Sequence, residues 1–178
     1  MVEKLQFVSE DGTRLVQSGP SLLAVNILQP YPGWNEFLKE ILDIFGLHAE
    51  FLTSTLTDRV GLRYINRIEL DGSDAASLLK VLPALREFFD ANASAFFERF
   101  EIPYEAPVGT LTYQAGTAAG DARALMIDLD FWTASLGKVG VEELGDWLTR
   151  AHARIEKSLA RSLTREAVGL LGMQEVQR

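Results

Sequence analysis

No cysteine occurs among the 178 residues of the chain, which excludes a disulfide framework, a thiolate zinc site and a thiol nucleophile. Histidine is nearly as scarce. His48 and His152 stand far apart, and neither lies in a Gly-x-Ser-x-Gly or His-Glu-x-x-His context, so the common hydrolase and zinc-protease signatures are missing. No run of 18 apolar residues is found, and Met1-Val2-Glu3-Lys4 lacks a basic start followed by a long apolar stretch. Neither a membrane span nor a secretory signal is expected, and the cytoplasm is the expected location. Basic residues are in deficit: 17 Lys and Arg against 25 Asp and Glu give a net charge of −8. That balance disfavours diffuse binding to nucleic acid or anionic lipid and leaves only a local basic patch to look for.

What is present is an ordinary globular composition, 47% hydrophobic and 24% charged, which can sustain a packed core. The length fits a single α+β domain over residues 1–178 that buries about 70% of its unfolded surface.

Residues 5–8 and 13–16 are strand-like on either side of Ser9-Glu10-Asp11-Gly12, where Asp-Gly predicts a hairpin turn. A third strand follows over residues 22–28 and is closed by Pro30 and Pro32, so three antiparallel strands open the domain. From Gly33 the period changes, with Trp34, Phe37, Leu38, Ile41, Leu42 and Phe45 at helical spacing. This predicts an amphipathic helix ending near Gly46 with His48 just beyond it. A second helix is predicted from the stripe Leu78, Leu79, Leu82, Leu85, Phe88 and Phe89, with Pro83 able to kink it. Phe96, Phe97 and Phe100 lead into a less regular connection punctuated by Pro103 and Pro107, then residues 108–114 alternate as a strand and residues 115–121 read as a long hairpin loop. The glycines of that loop lack the spacing of a phosphate-binding loop. A final long helix over residues 141–165 carries Leu144, Leu148, Ala151, Ile155, Leu159 and Ser162 on one stripe, and the tail over residues 169–178 is expected to fray.

Two strands have unusual chemistry. Over residues 60–70, alternation places Val60, Leu62, Tyr64, Asn66, Ile68 and Leu70 on one face and Gly61, Arg63, Ile65, Arg67 and Glu69 on the other. Apolar residues on both faces predict a central strand. In the second, Met126, Asp128, Asp130 and Trp132 share one face, while Leu125, Ile127, Leu129 and Phe131 share the other. Arginines four residues apart on one face and aspartates two residues apart on another predict a ladder if the strands are neighbours, pairing Arg63 and Arg67 with Asp128 and Asp130. On that reading the ladder is buried, and Arg67→Ala costs about 3–5 kcal/mol by stranding a carboxylate.

The segment Gly61-Leu62-Arg63-Tyr64-Ile65-Asn66-Arg67-Ile68 resembles the signature of an uncharacterised prokaryotic family of sporadic genome distribution. The resemblance continues through Tyr31-Pro32-Gly33-Trp34-Asn35-Glu36-Phe37, Ile127-Asp128-Leu129-Asp130 and the last helix with His152, Ile155 and Leu159, then Leu163-Thr164. It implies a domain type with no established activity. Members are usually longer and begin with a further segment containing Pro-Pro and an extended strand, so the resemblance implies an N-terminal segment that is missing here.

The expected architecture is two-layer α+β, an antiparallel or mixed sheet of about six strands with helices mainly on one face. Such a sheet leaves its other face free, and the leading reading is a non-enzymatic interaction or ligand-binding module, with a protein partner or a homodimer through that face and no cofactor. Arg63, Asn66, Arg67, Asp128 and Asp130 are its candidate cluster, structural or functional. One alternative is a metal-dependent phosphate-ester enzyme in which Asp128 and Asp130 hold Mg²⁺ or Mn²⁺ and an arginine stabilises developing charge. Another uses the local basic exception, Arg150, Arg154, Lys157, Arg161 and Arg165, which share one stripe of the last helix and can dock an acidic partner or nucleic-acid phosphates. His152, one step off the apolar stripe, is the remaining acid/base candidate, and that role requires a positioned partner.

Overall fold

Strand alternation is the strongest signal in the chain. The structure is a computed structural model that describes residues 4–28, 30–49, 56–70, 72, 75–80, 95–118, 121–134 and 136–170. Its strands are antiparallel throughout, and the class is α+β. They divide among a three-stranded, a four-stranded and a small two-stranded sheet, where the sequence suggested a single sheet. Two compact units result, Met1–Thr57 with Gly137–Thr149, and Asp58–Leu136 with Arg150–Arg178.

In the first unit, β1 (Leu5–Val8), β2 (Arg14–Gly19) and β3 (Leu22–Ile27) form the expected meander. The turn after β1 is organised by Asp11, whose Oδ1 accepts from the Ser9 hydroxyl at 2.6 Å and from the Thr13 amide and hydroxyl at 3.0 and 2.8 Å. Gly12 follows at φ +69°, a left-handed conformation that favours glycine. α1 (Trp34–Ala49) buries Phe37, whose ring meets Tyr31 and Trp34 edge-on at 6.1 and 6.4 Å. The helix runs through Gly46, because one interior glycine costs only about 1 kcal/mol and the apolar face continues. His48 therefore lies in the last turn of α1, with Nδ1 3.3 Å from the Ser18 hydroxyl. Arg14 on β2 donates to Glu40 on α1 at 3.0 Å.

The second unit is built on β5 (Val60–Glu69), β6 (Phe97–Glu105), β7 (Val108–Ala118) and β8 (Asp121–Thr133), in the order β5-β8-β7-β6. β4 (Leu56–Thr57) pairs with β9 (Gly137–Lys138) outside it. Three expectations change here. β5 is the end strand among the described strands, paired with β8 alone, and Ile65, which suggested burial on both faces, is exposed. The connection holding Pro103 is the regular strand β6, whose edge position needs no amide donor from proline. The 115–121 loop shrinks, since β7 pairs with β8 out to Ala118 opposite Asp121, with a bulge at Thr117 and Ala118.

One face of this sheet is apolar. Leu62 and Ile68 of β5, Leu111 and Ala115 of β7, and Leu125, Ile127, Leu129 and Phe131 of β8 are buried there, each large side chain contributing about 1.5–3 kcal/mol. α3 (Val141–Ser162) covers that face with its second half, burying Ala151 and Ile155. Contacts from His152 to Tyr64 and from Arg154 to Tyr104 fix the packing. The helix stops at Ser162 instead of Arg165. Thr164 breaks it, donating its hydroxyl to Ser77 O at 2.8 Å and capping α4 (Arg165–Leu170) by accepting from the Ala167 amide at 3.4 Å. α2 (Ala75–Leu78) is the described part of the second expected helix, and residues 81–94 lie outside the described residues, as do residues 171–178 of the tail.

Candidate functional site

The solvent face of β5 and β8 gathers most of the expected cluster. In register, Arg63 stands opposite Asp130 and Ile65 opposite Asp128, yet Arg63 reaches diagonally and grips Asp128 with two parallel hydrogen bonds, Nε to Oδ1 at 2.8 Å and Nη2 to Oδ2. The long guanidinium side chain spans the diagonal separation between strand neighbours. These bonds hold the Arg63 guanidinium above its ordinary pKa, against a smaller opposing effect of burial.

Asp130 is taken instead by Arg59, whose Nη2 lies 2.7 Å from Oδ2 and whose guanidinium sits over the Trp132 ring at 5.4 Å. Arg59 was missed in the sequence, although it precedes β5 in the same parity as Gly61 and Arg63. Gly61 is part of the arrangement: a Cβ there would stand 3.3 Å from both Arg59 Nη1 and Asp130 Oδ1.

Arg67 departs from the expected ladder. It lies opposite Met126 and bonds Glu69, two residues along its own strand, at 2.8 Å, and the Glu69 side chain is 57% exposed. The carboxylate that Arg67 pairs with here is exposed rather than buried, which removes the ground on which Arg67→Ala was expected to cost about 3–5 kcal/mol. Asn66 lies on the opposite face, where its amide donates to Ile127 O at 3.3 Å.

The aspartates are shielded, with side chains 17% and 22% exposed beneath the arginines. A guanidinium thus occupies the carboxylate oxygens that a cation would need. Among the described residues no group of three His, Asp or Glu side chains is placed to hold a metal ion.

His152 has partners. Tyr64 Oη lies 3.2 Å from Nδ1, and Glu156 Oε1 lies 3.6 Å from Nε2. A carboxylate favours a proton on Nε2, which leaves Nδ1 to accept from the tyrosine. Burial lowers the His152 pKa, with Glu156 pulling weakly the other way, so the ring is neutral at pH 7. The group is oriented, with only 13% of the side chain exposed.

The basic stripe is divided rather than continuous. Arg150 is exposed and Arg165 belongs to α4. Arg154 donates to Ala106 O at 2.9 Å and stacks over Tyr104 at 4.4 Å, holding the β6–β7 turn. Lys157 and Arg161 border a depression between α3 and strands β6 and β7. The depression forms where two stripes meet, Phe100, Ile102 and Tyr104 on β6 and the basic residues on α3, and neither stripe alone signals it.

No protein-family model, curated protein or solved structure matches the chain.

Proposed function

We propose that the chain is a non-enzymatic interaction module of the prokaryotic cytoplasm that pairs with a second copy of itself through the solvent face of β5 and β8. The observation that supports this reading is the patch itself. Ile65, 59% exposed, lies in line with Arg59, Arg63 and Arg67 and stands opposite Asp128 on β8, which carries Asp130 and Trp132 on the same face. A two-fold axis normal to such a patch brings the exposed Ile65 and the neighbouring Trp132 of two copies together beside the in-chain pairs Arg59–Asp130 and Arg63–Asp128, an isologous contact. Arginine and tryptophan are the residue types that carry interface energy. Among the described residues no helix is long and apolar enough to cross a membrane.

The occupied carboxylates favour this reading over metal-assisted phosphate-ester chemistry, and the divided basic stripe favours it over nucleic-acid docking. The family resemblance of residues 61–68 enters as a domain type only. Sedimentation equilibrium tests the proposal: a concentration-dependent dimer is expected, weakened by Ile65→Glu with unchanged circular dichroism. A monomer up to millimolar concentration overturns it.

A further inference from the structure

On the other face of the same sheet, the depression under α3 has a volume of about 360 Å³, the scale of a small-molecule site. Its floor is apolar and aromatic, made by Phe100, Ile102 and Tyr104 of β6 and Leu111 and Tyr113 of β7. The Phe100 and Tyr113 rings meet at 6.2 Å and a tilt of 37°. Its rim is cationic: Lys80 joins Arg154, Lys157 and Arg161.

Among the described residues no acidic side chain lines this depression, although the chain holds 25 acidic residues and a net charge of −8. Arg154 is committed to Ala106 O and the Tyr104 ring. Among the described residues no carboxylate forms an ion pair with Lys80, Lys157 or Arg161. Lys157 and Arg161 also stand four residues apart on one helix face, a like-charge spacing that weakens a helix. A bound anion offsets that repulsion, and an apolar body on the floor removes the aromatic surface from water.

We infer that the depression between α3 and strands β6 and β7 binds a free small amphipathic anion. A carboxylate, sulfonate or phosphate head sits between Lys80, Lys157 and Arg161, and a flat apolar body lies on Phe100, Ile102 and Tyr113. The volume suits a compact organic acid. A duplex, recognised through its backbone charge, has no use for the apolar floor, and a single strand, which can stack its bases on aromatic rings, is the occupant that the oligothymidylate arm of the test reads. The site lies on the face opposite Arg63 and Asp128, so the inference stands independently of self-association.

The test uses the full chain and anilinonaphthalene sulfonate as probe, followed by fluorescence, with the uncharged N-phenylnaphthylamine, inorganic phosphate and oligothymidylate as comparisons. Saturable binding of one sulfonate per chain is expected. The uncharged analogue binds at least about tenfold more weakly, as loss of charge-assisted hydrogen bonds requires, and phosphate alone does not compete. The double variant Lys157→Gln/Arg161→Gln loses about tenfold in affinity for the sulfonate and nothing for the uncharged probe. As a measurement on the unaltered chain, bound sulfonate shields Lys80 and Lys157 from acetylation and leaves Lys39 reactive. Equal binding of the charged and uncharged probes, an unchanged affinity in the double variant, or equal shielding of Lys39 overturns the inference. Displacement of the sulfonate by oligothymidylate overturns it in favour of a nucleic-acid groove.

Discussion

Glu98 faces the helix side of β6, and its Oε1 is buried without a hydrogen-bond partner among the described residues. Burial raises its pKa above the ordinary 4.5. The folded chain thus binds this proton more tightly than the unfolded chain, and stability declines as pH rises from the unfolded value through the raised folded one. Glu98→Gln is expected to flatten that decline and to raise stability at neutral pH by at most about 1 kcal/mol, since the residue is still partly in water. Urea unfolding at several pH values reads both effects. The Arg63–Asp128 pair, by contrast, has both charges satisfied at the solvent face. Its guanidinium is exposed, so a double-mutant cycle with Arg63→Ala and Asp128→Ala is expected to give a coupling of about 0.5–1 kcal/mol, and Arg67→Ala alone less than that. A coupling above about 3 kcal/mol would restore the buried ladder.

Two glycines separate what a strand requires from what a helix tolerates. At Gly109, on the helix side of β7, an added Cβ would stand 2.6 Å from the Phe131 ring and 2.8 Å from Trp132 O. Gly109→Ala must therefore push β7 away from β8, and a loss of about 1–3 kcal/mol is expected. At Gly46 in α1 a Cβ meets nothing within 4 Å, so Gly46→Ala is expected to stabilise by up to about 1 kcal/mol through helix propensity. Chemical denaturation that gives the two the same sign would contradict the packing described. These elements also show what was legible beforehand. The faces of β5 and β8 follow from a period of two, which needs no knowledge of neighbours. Which arginine meets which aspartate was not legible, because register and diagonal reach are set by pairing across 65 residues of sequence, as for Arg63 and Asp128. β6 was legible in principle through Phe100, Ile102 and Tyr104, but Pro103 masked it, since proline excludes a central strand and permits an edge one. The cavity was not legible at all, because it exists only where α3 crosses β6 and β7.

At the scale of the whole molecule, a net charge of −8 makes two copies repel each other, while the proposed interface joins Ile65 and Trp132 beside arginine–aspartate pairs already closed within each copy. Salt separates the two effects. At an ionic strength of about 0.01 M the screening length is about 30 Å, so the repulsion acts across an entire domain; at about 0.15 M it is about 8 Å, and only groups near contact still interact. The apolar contact through Ile65 and Trp132 is not screened, and the in-chain pairs at Asp128 and Asp130, 17% and 22% exposed, are closed in monomer and dimer alike, so salt acts mainly on the long-range repulsion. The dimer is therefore expected to tighten between those two salt concentrations, contrary to an association driven by global charge attraction. Sedimentation equilibrium at both concentrations reads the change. An affinity that weakens monotonically with salt would mean that exposed charge pairs carry the association and that Ile65 and Trp132 add little. Arg63→Glu separates the cases further: it adds two negative charges per copy to the repulsion and removes the guanidinium from the patch, so its dimer should be the weakest of the series at low salt and recover only in part as salt is raised.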